Sequence, residues 1–359
     1  MVKPLGWMVE LGWLLNNMMI DLLLSYAFFL LKVVTVLVAV VIPILVIANS
    51  KKNKLDSDKG RIVVKNLSEK LEEIGVSLKG AAMGAKDYKS FLKERSKQKK
   101  KELKKKSKEI VYVLDFKGDI QASGVDKLKQ EINAILSSKV KCKEVVLKVE
   151  SGGGSAYAYG LCAAELKRLV NSKINLTVCI DKVAASGGYL MSCVANKIIA
   201  APWAIVGSIG VIAQLPNFHR LLKKQNIDIE MHTAGKFKRT LTTLGKNTKK
   251  GRDKFISELE ELHIVFKDFV KENRSKIKVT KVSTGEVWQG DKAKKLGLID
   301  EIATSDDYLL NLSEKFKLLE IQYFEKKPLS AKFVSLTESV LEKSVYKILD
   351  ILNKNRFIN

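Results

Sequence analysis

Residues 175–213 read NLTVCIDKVAASGGYLMSCVANKIIAAPWAIVGSIGVIA, and how this stretch is divided decides the fold. From Tyr189 to Ala213 it is apolar enough to pass for a membrane span. Lys197, Pro202 and Gly207 interrupt it and argue for buried core instead. Divided at its turns, it gives a strand over 175–180 and a turn at Ser186 that opens a helix over 186–195. Two short strands follow, 197–201 and 205–213. Short apolar strands broken by helices are the signature of a parallel sheet covered on both faces.

The same pattern extends outward. Upstream, IVYVLDF (110–116) and EVVLKV (144–149) read as buried strands, and 123–138 and 156–171 as helices. Val125, Leu128, Ile132 and Ile135 fall on one helical face. Downstream the spacing predicts a helix over 217–225, a strand over 228–234 and a long polar helix over 250–274. A turn and short strand at 285–290, a brief helix from Asp291 to Gly297 and a strand at 298–301 follow. Strand and helix alternate throughout, which places the chain in the α/β class with parallel pairing.

The front of the chain differs. Residues 33–48 (VVTVLVAVVIPILVIA) carry no charge, and with Phe28–Leu31 and Lys32 they reach the length of a transmembrane helix, about 28–48. Residues 5–24 contain Glu10, Asn16, Asn17 and Asp21 and read as an interfacial amphipathic helix. The expected division is therefore a membrane region (1–50), a charged helical linker (51–109), a catalytic-type α/β domain (110–306) and a helical tail (307–359).

Lys and Arg total 63 against 39 Asp and Glu, a net charge of +24. Residues 86–109 alone hold twelve basic and four acidic side chains, so much of the surplus is local. This segment lacks the apolar groups to bury a core. It reads first as a solvated linker and second as a basic arm for anionic lipid. No zinc spacing and no RNA-reading aromatic pattern accompanies it, so nucleic acid is not an expected partner. Cys142, Cys162, Cys179 and Cys193 each lie in apolar runs and read as reduced core residues, with no metal called.

Three loops carry chemistry. Ser151-Gly152-Gly153-Gly154-Ser155 follows a strand and precedes a helix, and its glycines allow backbone N–H groups to approach a ligand oxygen. It lacks the Gly-Lys-Ser/Thr ending of a phosphate-binding loop. Ser186 stands among small residues before Gly187 and Gly188, as a nucleophile beside an oxyanion donor would, or as a plain N-cap. Gly235-Lys236-Phe237-Lys238 supplies lysines. A buried lysine loses its charge and serves as a base, whereas most lysines are simply solvated. His232 competes for the base role, and His219 and His263 sit on predicted helices.

Taken together, DKVAASGGYLMSCVANKI (181–198), APWAIVGSIGVIAQLPNFHRLL (201–222) and IDIEMHTAGKFKRTLT (227–242) resemble the signal peptide peptidase A family of serine proteases. Within it the likeness is to SohB-type members, which have one anchor and one protease unit. It covers nearly all of 110–305. The resemblance implies a crotonase-like or Clp-protease-like spiral of ββα units behind an N-terminal transmembrane helix. It implies Ser186 as nucleophile and Lys238, three positions after Gly235, as general base. Ser208 would orient the lysine, and Gly153 and Gly187 would serve as oxyanion donors. Relatives usually have proline where this chain has Gly152. The resemblance further implies no metal or cofactor, ring-like homo-oligomers with shared active sites, and peptide substrates with apolar segments, including signal-peptide remnants. It places such proteins in the bacterial cytoplasmic membrane with the catalytic domain on the outer, periplasmic face. The charges flanking the span here, Lys51, Lys52, Lys54, Lys59 and Arg61, point the other way. Two other readings stay open: a crotonase-like enzyme that binds an acyl-CoA thioester, and a non-catalytic membrane scaffold.

Overall fold

The structure, a computed structural model, describes residues 25–37, 60–102 and 108–325. The chain forms two units, Ile62–Phe324 and a second made of Met1–Arg61 with Glu325–Asn359. In the second unit the described part is α1, a helix over residues 25–37 with exposed apolar side chains. Among the described residues no helix is long and apolar enough to cross a membrane. Residues 38–48 of the expected span lie outside the described residues, as do 5–24 and residues 326–359 of the expected helical tail.

The larger unit opens on β1 (Arg61–Asn66), α2 (Leu67–Ala82) and α3 (Ala85–Glu102). Its central run is β2 (Ile110–Gly118), α4 (Val125–Ser138), β3 (Cys142–Ser151), α5 (Ala156–Asn171), β4 (Asn175–Ile180), β5 (Val183–Ala185) and α6 (Gly187–Ser192). Then come β6 (Lys197–Ala200), β7 (Ile205–Gly207), α7 (His219–Lys224), α8 (Lys249–Asn273) and α9 (Val279–Val282). The last elements are β8 (Val287–Gln289), α10 (Gly290–Lys295), β9 (Glu301–Ile302), α11 (Ser305–Lys315) and β10 (Lys317–Phe324).

The sheet runs β1-β10-β2-β3-β4-β6-β9. Along β2, alternate residues face opposite layers. Val111 and Val113 pack with Val146, Cys179, Ile199, Leu309 and Leu318. Tyr112, Leu114 and Phe116 join the larger core with Leu128, Ile132, Leu147 and Leu166. Both faces are therefore covered, as the apolar strands required.

The sheet forks at β3, and this fork builds the site. Glu144–Lys148 of β3 pair in parallel with β4, while Ser151 at its end pairs with Ala184 of β5. β5 pairs in parallel with β7, which takes β8 antiparallel. The end of β3 and the end of β5 thus lie side by side, and each runs straight into a glycine-containing turn.

Several expectations change. The strand expected over 205–213 stops at Gly207, where φ is +105° and the next residue, Ser208, has φ +52°. The turn is fixed by the Ser208 N–H donating to Glu286 O at 2.6 Å. Residues 228–234 form no strand. Ile227, Ile229 and Met231 are exposed, and among the described residues no strand edge pairs with their backbone. Part of the expected helical tail is strand: β10 lies between β1 and β2. The expected linker likewise contributes β1 and α2, with Leu67 and Leu71 packed on the core. The compact unit is accordingly wider than 110–306 at both ends.

Candidate active site

Ser186 sits between β5 and α6 with φ +52° and ψ −119°, a conformation that side-chain-bearing residues rarely adopt. Its N–H donates to Gly207 O at 2.8 Å and its C=O accepts from Leu190 N at 2.9 Å, so the backbone is held from both sides. Its side chain makes no capping hydrogen bond, which removes the N-cap explanation for a serine here. The residue is half-buried while Ala184, Ala185, Gly187 and Gly188 are buried. The result is a strained turn that presents one unengaged hydroxyl.

Glycines allow the surrounding chains to close on this turn. A Cβ at Gly187 would lie 2.4 Å from Cγ of Tyr159, and one at Gly188 would lie 2.5 Å from Ser151 O. Gly153 has φ +88°, and a Cβ there would lie 2.6 Å from Gly187 N and 2.8 Å from Ser186 Cβ. The structure thus brings Ser186, Gly153 and Gly187 together. The Gly187 N–H opens a helix and has no intrahelical acceptor. The Gly153 N–H donates to Ser151 Oγ at 3.0 Å.

Ser208 lies one residue beyond Gly207 O, the acceptor of the Ser186 N–H, and is half-buried. Lys238 is exposed, and among the described residues its side chain makes no hydrogen bond or ion pair. Its N–H donates to Gly235 O at 3.1 Å in a local turn, with Gly235 at φ +95°. Lys236 lies over the Phe237 ring at 5.3 Å. His232 is exposed beside Glu230, at 3.4 Å. A single chain therefore leaves the lysine loop in solvent.

The sequence reading missed the support beneath the turn. Tyr159 is fully buried, and its hydroxyl lies 2.5 Å from Ser151 Oγ and 2.7 Å from Asp119 O. Burial raises its phenol above the ordinary value, with the Ser151 hydrogen bond pulling the other way. The signal was a single tyrosine in the helix after the glycines. Trp288 was also missed: a Cβ at Gly207 would lie 2.7 Å from its ring.

Burial pushes the thiols of Cys162, Cys179 and Cys193 each up to about 12, far from the reactive thiolate form. All four cysteines are free. Among the described residues no cluster of His, Cys, Asp or Glu could hold a metal ion.

Comparison with known proteins places the chain in a family. The model of peptidase family S49 matches residues 168–319, and that of the S49 N-terminal region matches 21–166. "Probable protease SohB" of Haemophilus influenzae is 45% identical over 330 residues, covering 88% of this chain and 93% of that protein. "Probable protease SohB" of Buchnera aphidicola subsp. Schizaphis graminum is 43% identical over 346 residues, covering 94% of this chain and 100% of that protein. A solved 1510-N membrane protease specific for a stomatin homolog, from Pyrococcus horikoshii, is 18% identical with a TM-score of 0.34, covering 57% of this chain and 79% of that one. With two SohB relatives matched along most of their length and S49 models spanning 21–166 and 168–319, the chain belongs to peptidase family S49, the signal peptide peptidase A family, and is a serine protease.

Proposed function

We propose that this protease is a membrane-anchored endopeptidase that hydrolyses peptide bonds with a Ser186–Lys238 dyad. The observation that carries the reading is the Ser186 turn, with its hydroxyl free of capping and Gly153 and Gly187 packed against it. Lys238 takes the Ser186 proton as Oγ attacks the scissile carbonyl. The carbonyl oxygen becomes an oxyanion facing the Gly187 N–H, which the absence of a side chain at Gly153 leaves uncovered. The tetrahedral intermediate collapses, and Lys238 returns the proton to the leaving amine. Water, deprotonated by Lys238, then releases the acyl group and restores Ser186. Ser208, beside Gly207, orients the lysine.

A lysine base must be desolvated, and one chain leaves Lys238 exposed. The segment that carries it also exposes Ile212, Phe218, Leu221, Ile227, Ile229 and Met231. An apolar segment of this extent supports coverage by a second copy of the chain. We therefore read the protein as a homo-oligomer, a Clp-protease-like spiral domain whose sites are completed between subunits. Residues 28–48 form the single transmembrane anchor in the bacterial cytoplasmic membrane, with the catalytic domain on the periplasmic face as in the family. The substrates are peptides with apolar segments, such as signal-peptide remnants.

The test is cleavage of an apolar peptide by purified full-length protein in detergent. Ser186→Ala and Lys238→Ala are each expected to abolish it while folding, followed by circular dichroism, persists. Full activity in either variant ends the dyad assignment.

A further inference from the structure

Beneath the serine turn lies a chain of hydroxyls whose direction is fixed at both ends. A backbone C=O only accepts and an N–H only donates. The Tyr159 hydroxyl therefore donates to Asp119 O at 2.7 Å. Its oxygen must then accept from the Ser151 hydroxyl, 2.5 Å away, because its one proton is already committed. Ser151 Oγ in turn accepts from the Gly153 N–H at 3.0 Å. The relay runs from Gly153 through Ser151 and Tyr159 to Asp119 without an ambiguous proton.

Its far end is rigid. The Asp119 carboxylate accepts from Ser123 N at 2.8 Å and Ser123 Oγ at 2.7 Å, and Asp119 O also accepts from Ala122 N at 3.0 Å. The neighbouring Ile120 O accepts from Ser155 N at 2.8 Å, closing the glycine loop on its other side. The Tyr159 ring meanwhile packs under Gly187, with Phe116 edge-on at 6.4 Å. One side chain thus touches both walls of the site, through its hydroxyl to the Gly153 loop and through its ring to the residue after Ser186.

We infer that Tyr159 and Ser151 are positioning residues for the peptidase reaction, which set the Gly153 loop against the Ser186 turn so that the Gly187 N–H stays open to the oxyanion. This inference rests on the Ser186 reading given above. Neither side chain touches the reacting atoms. Their role is to hold a positive-φ peptide where it would otherwise relax, and placement errors of about 1 Å at such sites cost on the order of 100-fold in rate.

Tyr159→Phe keeps the ring and removes the relay, and Ser151→Ala cuts it one link nearer the loop. In full-length protein each is expected to lower kcat at least tenfold with KM changed less than twofold. A peptide aldehyde, which forms a tetrahedral adduct on Ser186, is expected to bind more weakly by the same factor as kcat/KM. A non-cleavable peptide is expected to keep its Kd. A purely structural role predicts instead that aldehyde and peptide weaken together, in step with the fraction unfolded by circular dichroism, and that result overturns the inference. Wild-type kcat in Tyr159→Phe overturns it too, while leaving the nucleophile assignment intact. If wild-type cleavage is matched by Ser186→Ala, the underlying reading falls and takes this inference with it.

Discussion

A side-chain carbon at Gly153 would come to rest 2.6 Å from the amide nitrogen of Gly187. The loop after β3 and the turn after β5 are therefore in contact at backbone level, with no room for a methyl group. Gly153 also has φ +88°, so alanine there is strained as well as crowded. Gly153→Ala is expected to lower kcat by about 100-fold, the scale of a displacement of about 1 Å at the reacting centre. At Gly152 a Cβ meets nothing within 4 Å. Gly152→Ala is expected to retain cleavage, and steady-state kinetics of the pair separates contact from mere glycine content.

The exposure of Lys238 in a single chain gives a sharper expectation. Ser186→Ala and Lys238→Ala subunits, each inactive alone, are expected to regain activity when dissociated and reassembled together. Only a site built from two chains is rebuilt by mixing. Cleavage measured before and after reassembly checks this, and persistent inactivity of properly assembled mixtures means that each chain supplies both residues.

Exposed apolar residues on the lysine segment should hold subunits together. Ile229→Asp and Met231→Asp are each expected to shift the protein toward monomer and to lower activity in parallel. Mass photometry of the detergent-solubilised protein reads the shift. Both side chains are exposed, so thermal unfolding of the monomer is expected to stay within the few tenths of a kcal/mol typical of surface changes.

Glu131 gives the fold a dependence on pH. It is 1% exposed, accepts from Tyr323 N at 2.8 Å, and lies 3.8 Å from Lys127. Burial pushes its carboxyl up to about 7, against the hydrogen bond from Tyr323 and the charge of Lys127, with Asp115 adding to the rise. A carboxyl whose folded value exceeds its unfolded value favours the folded state while protonated. That contribution is complete below about 4.5 and is lost as pH rises through about 7. Glu131→Gln, which keeps an acceptor for Tyr323, is expected to flatten this part of the stability profile and to raise Tm above pH 7 relative to wild type. Thermal melts of both proteins from pH 5 to 8 make the comparison.

Much of the sheet was legible because its strands are short, apolar and bounded by turn residues. Residues 156–171 and 175–180 begin and end as their spacing required. The strand β5 escaped because Val183–Ala185 is too short to show any period. β10 escaped because KLLEIQYF carries helical and strand spacing equally, and only its place between β1 and β2 decides between them. The reverse error came at 228–234, where alternating apolar residues have strand spacing but no partner edge among the described residues. At the site, Ser186 could be read from its small neighbours. Tyr159 could not, because its role comes from the fork of β3 that brings the helix after one loop beneath the turn of another. Lys238 is exposed in a single chain, so nothing local sets it apart from the many other solvated lysines.

The position of β10 also bears on how the chain is made. It is the last strand of the compact unit to be synthesised, yet it fills the slot between β1 and β2. Until residue 324 has left the ribosome, β1 has no neighbour in the sheet and β2 presents a bare edge, the kind of surface that recruits other chains. A message cut short before Lys317 thus yields an open-edged product prone to aggregate, so the protease cannot complete its fold, or begin cutting, before β10 has been made.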